Sequence, residues 1–325
     1  MASAMKIIFA GLILSGCLLA AEFPHTEITN GLVKAQIYLP DKQRGYYRGV
    51  RFDWSGVVPS LTYQGHEFFG QWFPTYDPLL HDAIMGPVEE FRNDEGALGF
   101  ADAKVNGMFV KIGVGVLRKP DDKPYDFTRQ YQLVNPGKRI VRANRDHVEF
   151  VHELNDGEGF AYVYQKTLRL PKGKAQLVLE HSLKNTGKRA IDTGVYDHDF
   201  YMLDHQSTGP DFRLKFAFAP KAKDTLKAPA RIEGNEIRFD RELSAPPESA
   251  SGYLTGFGES AADNDVRLED VKAGIGVRET GDHPVSSLYL WSIKTTICPE
   301  FYIHIHVEPG QTFKWRTTYE FYSLK

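Results

Sequence analysis

The chain has 325 residues, a formal net charge of −3 and a pI near 6.4, so it offers no basic face for a phosphate backbone and nucleic acid is not expected as a ligand. Its 42% hydrophobic and 25% charged residues supply a sizeable core and leave no polar tract that reads as disorder. Aromatic residues make up 13%, a level that suits β-sheet cores and sugar-stacking platforms alike.

Residues 1–21 read as a targeting segment: Lys6 gives a small positive region, and 7–14 and 18–21 are apolar. The apolar stretch is short for a spanning helix of about 20 residues, so the chain is expected to be exported, to the periplasm or envelope or as a secreted protein. Within it, Leu14-Ser15-Gly16-Cys17 matches the lipobox of bacterial lipoproteins, whose cysteine thiol is acylated; cleavage near Ala21 by an ordinary signal peptidase is the alternative, and the two stay open. Membrane contact would then come only through a lipid at Cys17. Cys298 is the cysteine that remains in either case, and no intramolecular disulfide is expected. Residues 22–325 are expected to form one domain.

The dominant period of the body is two. Residues 33–39, 148–152 and 160–170 alternate as strands, and 175–183 follows a Pro171-Lys172-Gly173-Lys174 turn to close a hairpin on the strand before it. A strand over 190–196 ends at Asp197-His198-Asp199, and further strands are expected at 213–219, 231–239, 289–294, 301–307 and 313–322, the last two joined by a Pro309-Gly310 turn. Only 79–83 and 260–263 read as short helical pieces, which makes the chain all-β. Region 41–127 is dense in Gly, Pro, aromatic and charged residues and reads as long site-bearing loops, which 204–210 and 255–265 are placed to meet.

The segments 164–170, 177–187 and Asp197-His198-Asp199-Phe200-Tyr201 resemble the central part of galactose mutarotase-like proteins, the aldose 1-epimerase superfamily. The resemblance spans most of 30–325 and implies a large antiparallel β-sandwich, the galactose mutarotase-like super-sandwich. It places the family's catalytic histidine on His198, and Cys298-Pro299-Glu300 before Pro309-Gly310 resembles the strand that carries its catalytic glutamate, here Glu300. Arg48 or Arg51 falls near the family's substrate-binding arginine. Two departures point away from plain galactose or glucose: Asp197 stands where the family has asparagine, and 77–82 and 86–91 replace its upstream histidine-glycine motif.

The chemistry follows from the residue types. Opening a hemiacetal ring requires a base for the anomeric hydroxyl proton and an acid for the ring oxygen, and reclosure on the other face inverts C1 without a cofactor. Glu300 is the candidate base and His198, as imidazolium, the candidate acid, with Asp197 or Asp199 raising its pKa. Arg48 or Arg51 would hold sugar hydroxyls or a uronate carboxylate, and Trp54 or Trp72 would stack on a pyranose face. His81, beside Asp82, and Glu90, as the inward member of Glu89-Glu90, are further candidate contacts. His304 and His306 share a strand face, but no third and fourth ligand accompanies them at a telling spacing, and no metal is assigned.

These features point to an exported carbohydrate-active protein that acts on a mono- or oligosaccharide, interconverting anomers at C1. A polysaccharide lyase, with a tyrosine of the Tyr46-Tyr47 loop or a histidine abstracting a C5 proton, is one alternative, and a non-catalytic carbohydrate-binding lipoprotein built on Trp54 and Trp72 is another. The first reading requires His198 and Glu300 to face one cavity.

Overall fold

Strands dominate the computed structural model, which describes residues 23–324; the targeting segment and Cys17 lie outside the described residues. Ten antiparallel strands form the largest sheet. It runs from Ala230–Glu233 through Glu236–Phe239, Phe212–Phe216, Asp265–Asp270, Ile275–Gly281, Thr312–Ser323, Gln176–Asn185, Ala161–Arg169 and His147–Asn155 to Lys138–Ala143. A six-stranded sheet has the order Lys221–Ala222, Ala250–Thr255, Ser287–Ile293, Thr296–Val307, Ile191–His198, Val88–Phe91. A four-stranded sheet at 25–69 and a three-stranded one at 108–135 complete the set.

The hairpin of 161–169 with 176–185 forms as its turn signal predicts. Its alternating burial, with Tyr162, Tyr164, Leu168, Leu179 and Leu183 inside, is that of a strand pair with one face on a core. Leu168, Leu179, Leu214, Val277, Leu288 and Phe301 meet in one core cluster, drawn from the ten- and six-stranded sheets. The arrangement is therefore a sandwich of packed sheets.

Three expectations change. The segment 231–239 is two strands about Gly234-Asn235, where Gly234 has φ +63 and so turns the chain back. Residues 79–83 are turns, while 260–263 does hold a short 3₁₀ piece, Ala261–Asp263, capped by Ser260. Region 41–127 contains five strands, among them Val88–Phe91, whose four residues are all buried. Burial on both faces removes the alternation that marks a strand in sequence. Tyr46, Tyr47, Phe52, Trp54 and Phe109 of that region join Phe200 and Cys298 in a second core cluster.

One buried charge network crosses between the two large sheets. Glu89, on Val88–Phe91, accepts hydrogen bonds from Lys166 Nζ at 2.5 Å and from His181 Nε2 at 2.7 Å, both on the ten-stranded sheet. Burial opposes ionisation of Glu89, but Lys166 and His181 hold its carboxyl down at about 2. The folded pKa is thus depressed, so this contribution to stability is present above the ordinary carboxylate range and is lost as pH falls towards 2. Lys166→Met should cost roughly 3–5 kcal/mol by leaving Glu89 buried without its cation. Urea unfolding at neutral pH checks this, and a loss below 1 kcal/mol would show that water or His181 satisfies the carboxylate instead.

Candidate active site

Strand alternation sends Glu90, Tyr196, His198, Glu300 and Tyr302 to one face of the six-stranded sheet. Tyr196 pairs with Glu90 across one ladder, and Val195 pairs with Ile303 across the next. Continued along both strands, the second register sets Tyr196 beside Tyr302 and His198 beside Glu300. The contacts agree: the two tyrosine rings stack at 4.2 Å between centroids, and His198 Nε2 lies 3.5 Å from Glu300 Oε1. Tyr289 pairs with Glu300, and Tyr253 with Tyr289, so one row of side chains runs across four strands.

This row opens into a cavity of about 370 Å³, within the rough 300–1,000 Å³ range of ligand sites. The sheet contributes His198, Tyr253, Tyr289, Trp291, Glu300 and Tyr302, and the flanking segments contribute Arg51, Asp82, Arg92 and Phe127. His198 is fixed by rings: Phe200 stacks on it at 3.8 Å and 10°, while Phe52 and Trp291 meet it edge-on. Phe200 reaches that position with φ +48, an uncommon value for a bulky residue, and its N–H donates to Cys298 Sγ at 3.0 Å. Trp72 stacks on Phe200 in turn, at 4.8 Å.

No protein-family model matches the chain, and no curated protein matches it. Solved structures do match its backbone. An aldose epimerase homologue from C. elegans has 14% identity and a TM-score of 0.56 over 93% of this chain and 99% of that one. A galactose mutarotase related enzyme from Lactobacillus acidophilus has 15% identity and a TM-score of 0.55 over 93% and 98%. A galactose mutarotase-like protein from Clostridium acetobutylicum has 12% identity and a TM-score of 0.55 over 92% and 95%. The fold is the galactose mutarotase-like sandwich.

On this mutarotase-like sandwich the sequence-predicted residues divide. His198, Glu300 and Arg51 reach one cavity, and His81 stands behind it, holding Asp82 at 3.0 Å. Glu90 does not line the cavity: it is fully buried, accepting from Arg51 Nε at 2.8 Å, Lys111 Nζ at 3.1 Å and Tyr196 Oη at 2.6 Å. Arg51 is itself committed, since its other nitrogens reach Asp82 and, at 3.1 Å, Tyr196 Oη. Glu90 therefore positions Arg51 rather than touching a ligand. Burial alone would raise the Glu90 pKa, but Lys111 and Arg51 hold it well below the usual carboxylate range.

Arg48 stays outside the cavity lining. Trp54 is interior, with Nε1 bonded to the Gly49 carbonyl at 2.7 Å and the Arg139 guanidinium over its ring at 4.9 Å. Trp72 is buried with Nε1 bonded to the Ile84 carbonyl at 2.9 Å, so it supports Phe200 and offers no face to a sugar. Tyr46 and Tyr47 are buried as well, which removes the loop tyrosines that favoured a lyase. The residues missed in sequence are Arg92, Phe127, Tyr253, Tyr289, Trp291 and Tyr302. Alternation gave a signal for Tyr289, Trp291 and Tyr302, since Tyr289-x-Trp291 and Glu300-x-Tyr302 each place two such side chains on one face.

The largest correction concerns Asp197 and Asp199. The same alternation that aims His198 at the cavity sends both aspartates to the opposite face, towards the ten-stranded sheet. There Tyr319 Oη lies 3.1 Å from Asp197 Oδ2 and 2.8 Å from Asp199 Oδ1, and the Glu279 carboxyl is close enough to Asp199 to disfavour its ionisation. One phenol has one proton to give, so a carboxyl must supply the other. Burial together with Glu279 and Asp197 raises Asp199 well above its ordinary value, and burial pushes Glu279 up to about 8.

His198 is accordingly not raised. Burial, helped by Arg51, drives its pKa well below the ordinary histidine value and keeps the imidazole neutral. Burial pushes Glu300 up to about 7, against the lowering pull of Arg51 and of a Tyr302 Oη hydrogen bond at 2.9 Å. Tyr302→Phe removes that bond to the ionised form, so the Glu300 pKa should move above 7. Carbon-13 NMR titration of the glutamate carboxyl reads the shift, and a midpoint that stays or falls would refute this role for Tyr302.

Proposed function

We propose that the protein is a sugar mutarotase, opening and reclosing the hemiacetal ring of an aldose through His198 and Glu300. The observation that carries the reading is the pair itself: an imidazole and a carboxyl 3.5 Å apart in a cavity of ligand size, with the carboxyl poised at about 7. The names of the solved structures that share the fold, aldose epimerase and galactose mutarotase among them, support the same substrate class.

The cycle needs one proton on the pair. In the resting cavity that proton sits on Glu300, because burial disfavours the imidazolium. Glu300 gives it to the ring oxygen while neutral His198 takes the proton of the C1 hydroxyl, the C1–O5 bond breaks, and an open-chain aldehyde results. Rotation about C1–C2 and the reverse transfers close the ring on the other face and restore both groups. The acid and base roles are the reverse of those expected from sequence, because Asp197 and Asp199 do not reach the imidazole. Tyr253, Tyr289 and Trp291 supply apolar ring faces for the sugar, and Arg92 supplies donors.

Proton NMR of freshly dissolved α-anomers across an aldose panel should show accelerated anomer exchange. Glu300→Gln and His198→Asn should each lower kcat/KM by roughly 10²–10⁴-fold. The pair loses its working proton as pH rises through about 7, so kcat/KM should be level on the acid side and fall above that point, a limb that Glu300→Gln abolishes. Unaccelerated exchange for every aldose tested would end the proposal.

A further inference from the structure

A second cavity, of about 650 Å³, lies beside the first. Arg92, Tyr253 and Tyr302 line both, so the two spaces share a wall and form one cleft along the outer face of the six-stranded sheet. We propose that this cleft holds an oligosaccharide whose second unit occupies the outer cavity and carries an anionic group, a carboxylate or a sulfate. The inference rests on the first cavity taking the sugar's reducing end.

Three observations carry it. Each cavity is large enough, by the rough 300–1,000 Å³ scale of ligand sites, to take a unit of its own, and the two adjoin across the side chains of Arg92, Tyr253 and Tyr302. Tyr253 stands at the junction, 46% exposed although its neighbours on the strand are buried, with its ring packed on Tyr289 at 4.7 Å. A half-exposed aromatic ring packed on a second ring is a stacking platform for a pyranose. The third observation is charge. Arg92 and Lys223 line the outer cavity against the single carboxylate of Asp94. Lys223 has its Nζ 5.8 Å above the Tyr253 ring and no carboxylate partner among the described residues. Arg92 donates through Nη2 to Tyr302 Oη at 3.2 Å, which fixes its guanidinium at the boundary. His304, the remaining ionisable residue, is held by Asp192 at 3.1 Å. Arg92 Nε also lies 3.5 Å from the buried Glu90 carboxylate, so the unpaired charge of the outer cavity is that of Lys223. A cation over an aromatic platform, next to an arginine that keeps further N–H donors, suits a sugar bearing an anion better than a neutral one.

The test is equilibrium binding by calorimetry on the full chain. Probes are glucose and galactose, and disaccharides of α1,4, β1,3 and β1,4 linkage in three forms: neutral, with glucuronate as the non-reducing unit, or with a sulfate on it. At least one acidic disaccharide should bind more tightly than both its neutral counterpart and the monosaccharide. Lys223→Glu should weaken that complex by roughly fivefold or more while leaving monosaccharide anomer exchange unchanged. Which acidic form gains tells carboxylate from sulfate, and either gain supports the inference. Equal affinity for monosaccharides and every disaccharide overturns the outer site, and a gain that is the same for neutral and acidic forms overturns the anion. Acidic-disaccharide binding that depends on Lys223, in a protein that accelerates no anomer exchange, upholds the cleft and defeats the mutarotase reading instead.

Discussion

The carboxylate of Glu89 lies wholly buried between two sheets, and its ion pair with Lys166 constrains how they meet. A buried charge without a partner costs several kcal/mol, so Val88–Phe91 has to lie where Lys166 and His181 reach it. That strand is the edge on which Ile191–His198 pairs, and Ile191–His198 in turn pairs with Thr296–Val307. Fixing Glu89 therefore fixes the level of Glu90, which sits one residue on and points the other way. Arg51, Lys111 and Tyr196 converge on Glu90, and through Arg51 the loop segment at 46–54 is drawn to the cavity. The two adjacent glutamates thus do different work: one joins the sheets and the other seats an arginine.

Alternation along Ile191–His198 separates two proton-handling regions that are contiguous in sequence. His198 faces the cavity beside Glu300, while Asp197 and Asp199 are buried on the other side of the strand beside Glu279 and Tyr319. Proximity in sequence suggests that the aspartates act on the histidine; the pleat prevents it. The consequence for chemistry is large, because a histidine without those carboxylates stays neutral and the pair's proton moves to Glu300. Rings take over the positioning that a carboxylate would have done, through the stack of His198 on Phe200 and of Phe200 on Trp72.

Much of the fold was legible where one strand face is buried and the other wet. The hairpin of 161–169 with 176–185 and the C-terminal pair at 301–307 and 313–322 carry that pattern, and their turns carry Gly and Pro, while 296–300, buried on both faces, extends the first of that pair beyond its expected start. Val88–Phe91 was not legible, because burial on both faces leaves no period to read. His198 and Glu300 were visible as motif residues. Arg92 and Tyr253 were not, because their approach depends on pairings across the sheet, such as Tyr253 with Tyr289, which no local window contains. Trp54 and Trp72 show the opposite failure. A loop rich in aromatic side chains reads the same whether the rings line a site or fill an interior, and here the indole N–H groups bond to backbone carbonyls inside.

The carboxyls packed against Tyr319 bear on a property far from the cavity, the electrical charge of the whole molecule. A formal count treats every Asp and Glu as ionised and arrives at −3. Glu279, pushed up to about 8, holds its proton at neutral pH, and burial shifts Asp199 in the same direction, so the native protein is less negative than its sequence implies and migrates more slowly towards an anode. Unfolding exposes these groups to water and sets those protons free, which makes denaturation at neutral pH an acid-releasing reaction.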